Sequence, residues 1–314
     1  MAILTGLDIV YDGLTFCIDP HSKLSIPGAT ADSVVSSVTD VSRSGISVGG
    51  GSGQYRDNDT STEYRPYYRS AKDGTMEFSS SGAGSATENY NYGYLDCDDA
   101  IDNFGVDDPW TVDLWFKQKT FNYDYFYQAG NLASPASVYT SYYTSGYPNF
   151  SYTRRYPLRV SIAWMDNGNQ TYRVGFESCD KIVVNTSTTT HQYSCTAATT
   201  NLDTNTWYHV CGVMDTGNTL SNSADNRRAY AYVNGVASNA SNVDGEIDQV
   251  GSSTPSYSNS NDFLIGASSS NNSYHDDLRS NGAHGHLGAF KIYNRALTAS
   301  EVLQNYNSLK KRYQ

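Results

Sequence analysis

The feature that most constrains this sequence is a two-residue apolar rhythm, carried in short runs that stop at glycine, asparagine or proline. Trp110, Val112, Leu114 and Phe116 alternate with Thr111, Asp113, Trp115 and Lys117. A period of two puts each set on one face of a β-strand, one face buried and the other polar or packed on a neighbour. Residues 158–164 and 172–176 repeat the pattern on either side of Asp166-Asn167-Gly168-Asn169, and Arg228–Val233 ends in Asn234-Gly235. Asn-Gly adopts the left-handed backbone of tight hairpins, so both pairs read as hairpins. Further strand candidates are Leu14–Ile18, stopped by Pro20, then Thr75–Phe78, 181–184, 207–214, 263–266 and 287–293. Many short strands separated by turns fit a β-sandwich.

One helix is signalled. Thr298 suits an N-cap and Glu301 follows three residues later, which makes a capping box. Val302, Leu303, Tyr306 and Leu309 recur at helical spacing, and Lys310, Lys311 and Arg312 sit where cations suit the helix dipole.

Composition agrees with β structure. Only 17% of the 314 residues are charged, and 27 are tyrosine. Ser, Thr, Asn, Gly and Tyr replace the missing charge, and they favour strands and turns over helices. Composition is uniform along the chain, so residues 1–314 read as one domain. Its loop insertions fall near 45–75, 79–105 and 121–156. Residues 41–54 read as glycine-rich loop, and the Ser/Thr stretch after Val184 as another loop.

The net charge of -11, without a Lys/Arg cluster before the last residues, argues against a nucleic-acid partner. No apolar run approaches the length of a membrane span, and the N-terminus shows no signal-peptide pattern. The five cysteines, an odd number without CxxC, suggest mostly free thiols acting as small buried hydrophobes. Cys179 and Cys195 can pair if they flank a hairpin.

Several groups invite a chemical reading. Hard oxygen ligands on turns suit Ca²⁺, and Asp19, Asp40, Asp98 and Asp99 are the candidates, with solvated loop carboxylates as the alternative. His284 and His286 fall on one side of a strand, a spacing open to a metal or to a surface strand that enters the core at Leu287. The tyrosine-rich stretch offers Tyr123, Tyr125, Tyr142, Tyr143, Tyr147 and Tyr156 for stacking on sugars, for a protein interface or for cross-strand packing. Arg154 and Arg155 beside Tyr156 can clamp an acidic sugar. No nucleophile elbow, phosphate loop or dinucleotide fingerprint occurs.

Segments in order along the chain resemble laminin-G-like, or concanavalin A-like lectin/glucanase, domains. They are Gly6 to Leu14 with Ile18-Asp19-Pro20, Ser25-Ile26-Pro27-Gly28, Asp40 to Gly45, Met76-Glu77-Phe78, Pro109 to Phe116, Trp207-Tyr208-His209-Val210 and Tyr232-Val233-Asn234-Gly235. The most specific is 288–313, GAFKIYNRALTASEVLQNYNSLKKRY. This ending, with the IVYDGL opening, is most similar to structural proteins of tailed phages, including those of marine cyanobacteria. The resemblance implies an all-β jelly-roll sandwich with long loops and a short C-terminal helix, carbohydrate or partner binding, and sometimes a structural Ca²⁺. It implies a non-enzymatic virion protein (capsid decoration, fibre or tail appendage) assembled in the host cytoplasm, with other virion proteins and host-surface polysaccharide as partners. The loop-rich, tyrosine-rich surface suggests a homo-oligomer, with a trimer expected. The alternatives are a lectin or adhesin and a glucanase-like hydrolase. Such glucanases carry acidic residues alternating on one strand. Here Glu246 and Asp248 supply two, and Val250 or Gly251 stands where the third would be.

Overall fold

The computed structural model describes residues 9–27, 31–42, 46–54, 65–70, 74–78, 80–81, 91–97, 100, 104, 108–120, 131–135, 142–143, 150–151, 156–166, 168–185, 188–215, 228–238, 263–266 and 283–314. In chain order the strands begin with β1 (Leu14–Ile18), β2 (Ser33–Val34), β3 (Ser37–Thr39), β4 (Ser47–Gln54), β5 (Tyr67–Arg69), β6 (Thr75–Phe78) and β7 (Ser80–Ser81). There follow β8 (Asn91–Asp96), β9 (Trp110–Gln118), β10 (Asn131–Pro135), β11 (Tyr142–Tyr143), β12 (Phe150–Ser151), β13 (Tyr156–Asp166) and β14 (Thr171–Asn185). The last are β15 (Thr188–Ala198), β16 (Leu202–Asp203), β17 (Tyr208–Asp215), β18 (Arg228–Val233), β19 (Val236–Ala237), β20 (Phe263–Ile265) and β21 (Gly285–Tyr293), before the helix α1 (Ala299–Tyr313).

These strands form an all-β jelly-roll sandwich of two large sheets. The first sheet has the order β19-β18-β17-β9-β21-β6-β5-β2, with β1 added on β21. The second has the order β15-β14-β13-β10-β20-β8-β4-β3, with β16 on β14 and β7 on β8. β11 and β12 pair separately.

The apolar alternation sets the layers. Trp110, Val112, Leu114 and Phe116 of β9, with Leu287, Phe290 and Ile292 of β21, meet Leu158, Val160, Tyr172, Val174 and Phe176 of the second sheet in one core. Across the sandwich Phe116 and Tyr172 lie edge to face at 6.3 Å, and Phe263 and Phe290 lie 6.5 Å apart. The edge-on contact of Phe116 with Tyr172 suits the ring quadrupoles.

Three expectations need correction. Residues 47–54, read as loop, form β4 against β8, which itself lies within the expected 79–105 loop. A Cβ on Gly50 would lie 2.0 Å from the Val35 carbonyl oxygen. Glycine is there because backbone passes over backbone, and that use is invisible to a propensity argument. The Ser/Thr stretch after Val184 forms β15, paired with β14 from Asn185↔Thr188 to Gly175↔Ala198. Threonine is β-branched, and its strand preference outweighs its polarity there. The 166–171 hairpin forms, with Gln170 in the left-handed region (φ 54). At the second hairpin Asn234 (φ 52) and Gly235 (φ 77) make the expected turn. The β14–β15 register sets Cys179 across from Ser194 and Cys195 across from Ser178, and their side chains lie outside the description. Cys17, Cys97 and Cys211 are buried free thiols, as expected of small hydrophobes.

The helix forms with both halves of the capping box. It lies on the outer face of the first sheet, where Trp115 stacks with Tyr306 at 5.8 Å and with Tyr313 at 4.7 Å. Its buried face carries Val302 and Leu309 as expected, but also Asn305, whereas Leu303 is exposed. Asn305 belongs to a buried polar cluster. Its Nδ2 donates to Asp113 Oδ2 and to the Tyr293 hydroxyl, both at 3.0 Å, and its Oδ1 accepts from the Val10 amide at 2.9 Å. Asp113 also accepts from Lys291 Nζ at 2.6 Å and lies 2.9 Å from His209 Nε2. Burial alone would raise the pKa of Asp113, but the charges and hydrogen bonds of Lys291 and His209 outweigh it and hold the group far below the usual carboxylate range.

Removing one member of a buried ion pair leaves an uncompensated charge. Lys291→Met is therefore expected to cost about 3–5 kcal/mol in denaturant unfolding. A loss below about 1 kcal/mol would show that His209 and Asn305 suffice to hold Asp113.

Candidate functional site

Leading up to the region that α1 covers, the outer face of the first sheet carries a transverse row of polar and aromatic side chains. Strand parity puts them there. Glu77 alternates with the core residues Met76 and Phe78, Lys117 follows Phe116, and His286 precedes Leu287. Register then aligns them: Tyr67 lies across from Glu77, Glu77 across from His286, and His286 across from Lys117. Trp207, just before β17, closes the row beneath α1, buried in a cluster with Leu309 and with its ring 4.9 Å from that of Tyr313. The Lys117 ammonium lies 5.4 Å from its ring centroid, and the His286 ring lies 6.3 Å away. Four inter-strand steps of about 4.8 Å make the row roughly 19 Å long.

Glu77 organises one end. Its carboxylate accepts from Arg69 and from Lys119. Arg69 reaches Asp32 as well, at 3.0 Å, and its guanidinium lies 4.4 Å over the Tyr67 ring. Asp32 accepts in turn from the amide and hydroxyl of Ser70, both at 2.8 Å. The Glu77 side chain is 11% exposed, against 27% for Lys119 and 38% for Arg69. The anion thus lies beneath its two cations. Burial alone would raise the pKa of Glu77, but hydrogen bonds from Lys119 and Arg69 keep it below the ordinary range.

His284 and His286 are half-buried on the same side of the strand. Burial first, then the neighbouring Lys119 and Lys117, pushes their pKa values down to about 4. At neutral pH both are uncharged, each with one ring nitrogen that donates and one that accepts. The row therefore offers neutral imidazoles and ammonium and guanidinium donors along one line, with the Tyr67 ring at its open end, a set suited to a ligand rich in hydroxyls or acceptors.

The other sequence candidates are placed as follows. Asp19 accepts from the His21 amide and from Arg312, the latter at 2.8 Å. Asp40 accepts from the amides of Cys17 and Ser42 at 2.9 and 2.8 Å, and from the Ser42 hydroxyl at 2.7 Å. Both carboxylates tie loops to β1, and Asp19 has an arginine on it. Among the described residues, no group of three His, Cys, Asp or Glu is placed to hold a metal. Asp98, Asp99, Tyr123, Tyr125, Tyr147, Arg154, Arg155, Glu246 and Asp248 lie outside the described residues. The backbones of Tyr142 and Tyr143 form β11 and that of Tyr156 opens β13, but their side chains lie outside the description. Tyr67, Arg69, Glu77, Lys117 and Lys119 were not foreseen. They come from three separate strand regions, and only pairing unites them. The i, i+2 spacing of His284 and His286 was the one legible signal.

A histidine whose folded pKa is depressed loses stability as pH falls from its unfolded to its folded value. Between pH 6.5 and about 4 the native protein is expected to lose more stability than the His284→Gln/His286→Gln variant. Urea titrations across that range check this, and parallel losses would mean that the imidazoles are hydrated.

Comparison with known proteins follows the geometry. Residues 150–303 match the family model described as the concanavalin A-like lectin/glucanases superfamily. No curated protein matches the chain. Among solved structures, the binding domain of botulinum neurotoxin serotype G is similar at 14% identity and TM-score 0.47, with 93% of this chain and 50% of that chain covered. This chain thus spans about half the length of that structure. Domain 4 of a GH43 extracellular arabinanase from Geobacillus stearothermophilus, in complex with arabinotriose, is similar at 14% identity and TM-score 0.45, covering 97% of this chain and all of that one. A Trypanosoma rangeli sialidase is similar at 14% identity and TM-score 0.45, with all of this chain and 36% of that one covered. On a jelly-roll sandwich, residues 150–303, just under half of the chain, are thus similar to the concanavalin A-like lectin/glucanases superfamily.

Proposed function

We propose that this protein binds carbohydrate without cleaving it, and that the Tyr67–Glu77–His286–Lys117–Trp207 row is its ligand face. The observation that carries this reading is the row itself. Its hydrogen-bonding groups run from Tyr67, on the part of the sheet that α1 leaves open, to Trp207, which is packed against Tyr313 of α1. A linear glycan can lie across the strands, with a ring against Tyr67 and hydroxyls on His286, Lys117 and Lys119. The superfamily match, whose description names lectins as well as glucanases, supports the class. The non-catalytic half of the proposal rests on sequence, because Glu246 and Asp248 lack a third alternating carboxylate.

The finer placement is a virion surface protein, assembled in the host cytoplasm as a homo-oligomer beside other virion proteins. The similarity of residues 288–313 to the endings of tailed-phage structural proteins supports it. On purification a trimer is expected, and a strictly monomeric particle would count against this placement.

The test of the binding reading is incubation with a panel of bacterial surface polysaccharides, scoring retention and new reducing ends together. Retention without cleavage is expected, weakened by Tyr67→Ala. Cleavage would assign the domain to the glucanase side of its superfamily.

A further inference from the structure

We infer that the cluster beneath α1 matures into an intramolecular isopeptide bond, an amide between Lys291 Nζ and the side-chain carbonyl carbon of Asn305. What carries this is an amine and a carboxamide set on the two oxygens of one carboxylate, in a site closed to water. Lys291, Asp113 and Asn305 are each at most 1% exposed. Lys291 lies directly across from Asp113 in the β21–β9 register, and its Nζ donates to Asp113 Oδ1 at 2.6 Å. The other oxygen of that carboxylate accepts from Asn305 Nδ2 at 3.0 Å. One acid thus touches both the amine that attacks and the nitrogen that leaves. Asn305 Oδ1, where negative charge develops during attack, accepts from the Val10 amide at 2.9 Å, so an oxyanion donor is already in place. The Tyr293 hydroxyl accepts from Asn305 Nδ2 and donates to the Val10 carbonyl, which fixes the orientation of the carboxamide.

The resting state is the ion pair. The reactive state forms when one proton crosses the 2.6 Å contact from Lys291 to Asp113, leaving a neutral amine beside a neutral acid. Burial works toward that pair, because neither member carries charge. The Nζ lone pair attacks Asn305 Cγ, and the Val10 N–H holds the charge on Oδ1. Asp113 hands its proton to Nδ2 and takes one from Nζ. The Cγ–Nδ2 bond breaks, and ammonia leaves with the remaining proton as ammonium, so Asp113 ends as it began. No oxidant, metal or other co-reactant enters. Asp113 is the catalytic residue, and His209, with Nε2 2.9 Å from Asp113 Oδ2, is a positioning residue that holds the carboxylate in place. Each molecule reacts once, and escape of ammonia from a dry site makes the step irreversible, so a rare neutral pair suffices. The product ties α1 covalently to β21.

The test is intact-mass spectrometry of the purified full chain, followed by tryptic mapping. The chain is expected to weigh one ammonia, about 17 Da, less than its sequence. Mapping is expected to give residues 280–295 joined to residues 296–310 in one branched peptide, uncleaved after Lys291. Asn305→Ala removes the electrophile, and Lys291→Arg keeps a cation for Asp113 but cannot form this amide. Both variants, checked for native folding by near-ultraviolet circular dichroism, should show their full sequence masses. The wild-type measurement needs no variant, so it decides the matter even if both fail to fold. A wild-type mass equal to that of the sequence after prolonged incubation of the folded protein would overturn the proposal. So would a deficit that persists in Lys291→Arg, or one that mapping places at an Asn-Gly pair such as Asn234-Gly235, where succinimide closure loses the same ammonia.

Discussion

Asp113 is a fully buried carboxylate on the central strand of the first sheet, and three other elements reach it: β17 through His209, β21 through Lys291 and α1 through Asn305. Burying such charges costs several kcal/mol per ion, so the cluster is not primarily a source of net stability. It supplies orientation. Only one seating of α1 satisfies the Asp113 oxygens, the Tyr293 hydroxyl and the Val10 amide together, since Asn305 serves all three. The stacking of Trp115 with Tyr306 and Tyr313, and the bond from the Ala289 amide to the Tyr313 hydroxyl, follow from that seating.

The placement of the helix divides the outer face in two. Over β17, β9 and the later half of β21 the helix seals polar groups away from water. Over β5, β6 and the start of β21 the face stays open, and the same device recurs in another setting. In both places one carboxylate gathers two cationic or imidazole partners: Asp113 takes Lys291 and His209, and Glu77 takes Arg69 and Lys119. The sealed version fixes the fold. The open version leaves its cations within reach of solvent, and that difference in exposure separates an architectural cluster from a candidate ligand face.

Much of the sandwich could be read from the chain because strand parity is written directly in the sequence. Trp110, Val112, Leu114 and Phe116 needed only a period of two, and Thr298 with Glu301 needed only the capping spacing. What escaped was set by pairing. The glycines of β4 looked like loop because their function, admitting the Val35 carbonyl, exists only once strands assemble. Asn305 sits between apolar helix positions, and nothing local announces Asp113 beneath it. The ligand face was harder still. Tyr67, Glu77 and Lys117 are far apart in sequence and become neighbours only through register.

The pairing of β1 with β21 joins segments separated by nearly the whole chain, and β21 also carries β9 and β6 as neighbours. Closing a loop of that length costs entropy before any contact repays it, and such long-range topology slows folding. During synthesis β1, β6 and β9 must therefore wait, each with a hydrogen-bonding edge open, until β21 leaves the ribosome. For that interval the nascent chain is a set of unpaired strand edges, the form most prone to pair with another molecule. The polar, hydroxyl-rich composition of the intervening segments then has a kinetic use: it keeps an unfinished sheet in solution until its central strand arrives.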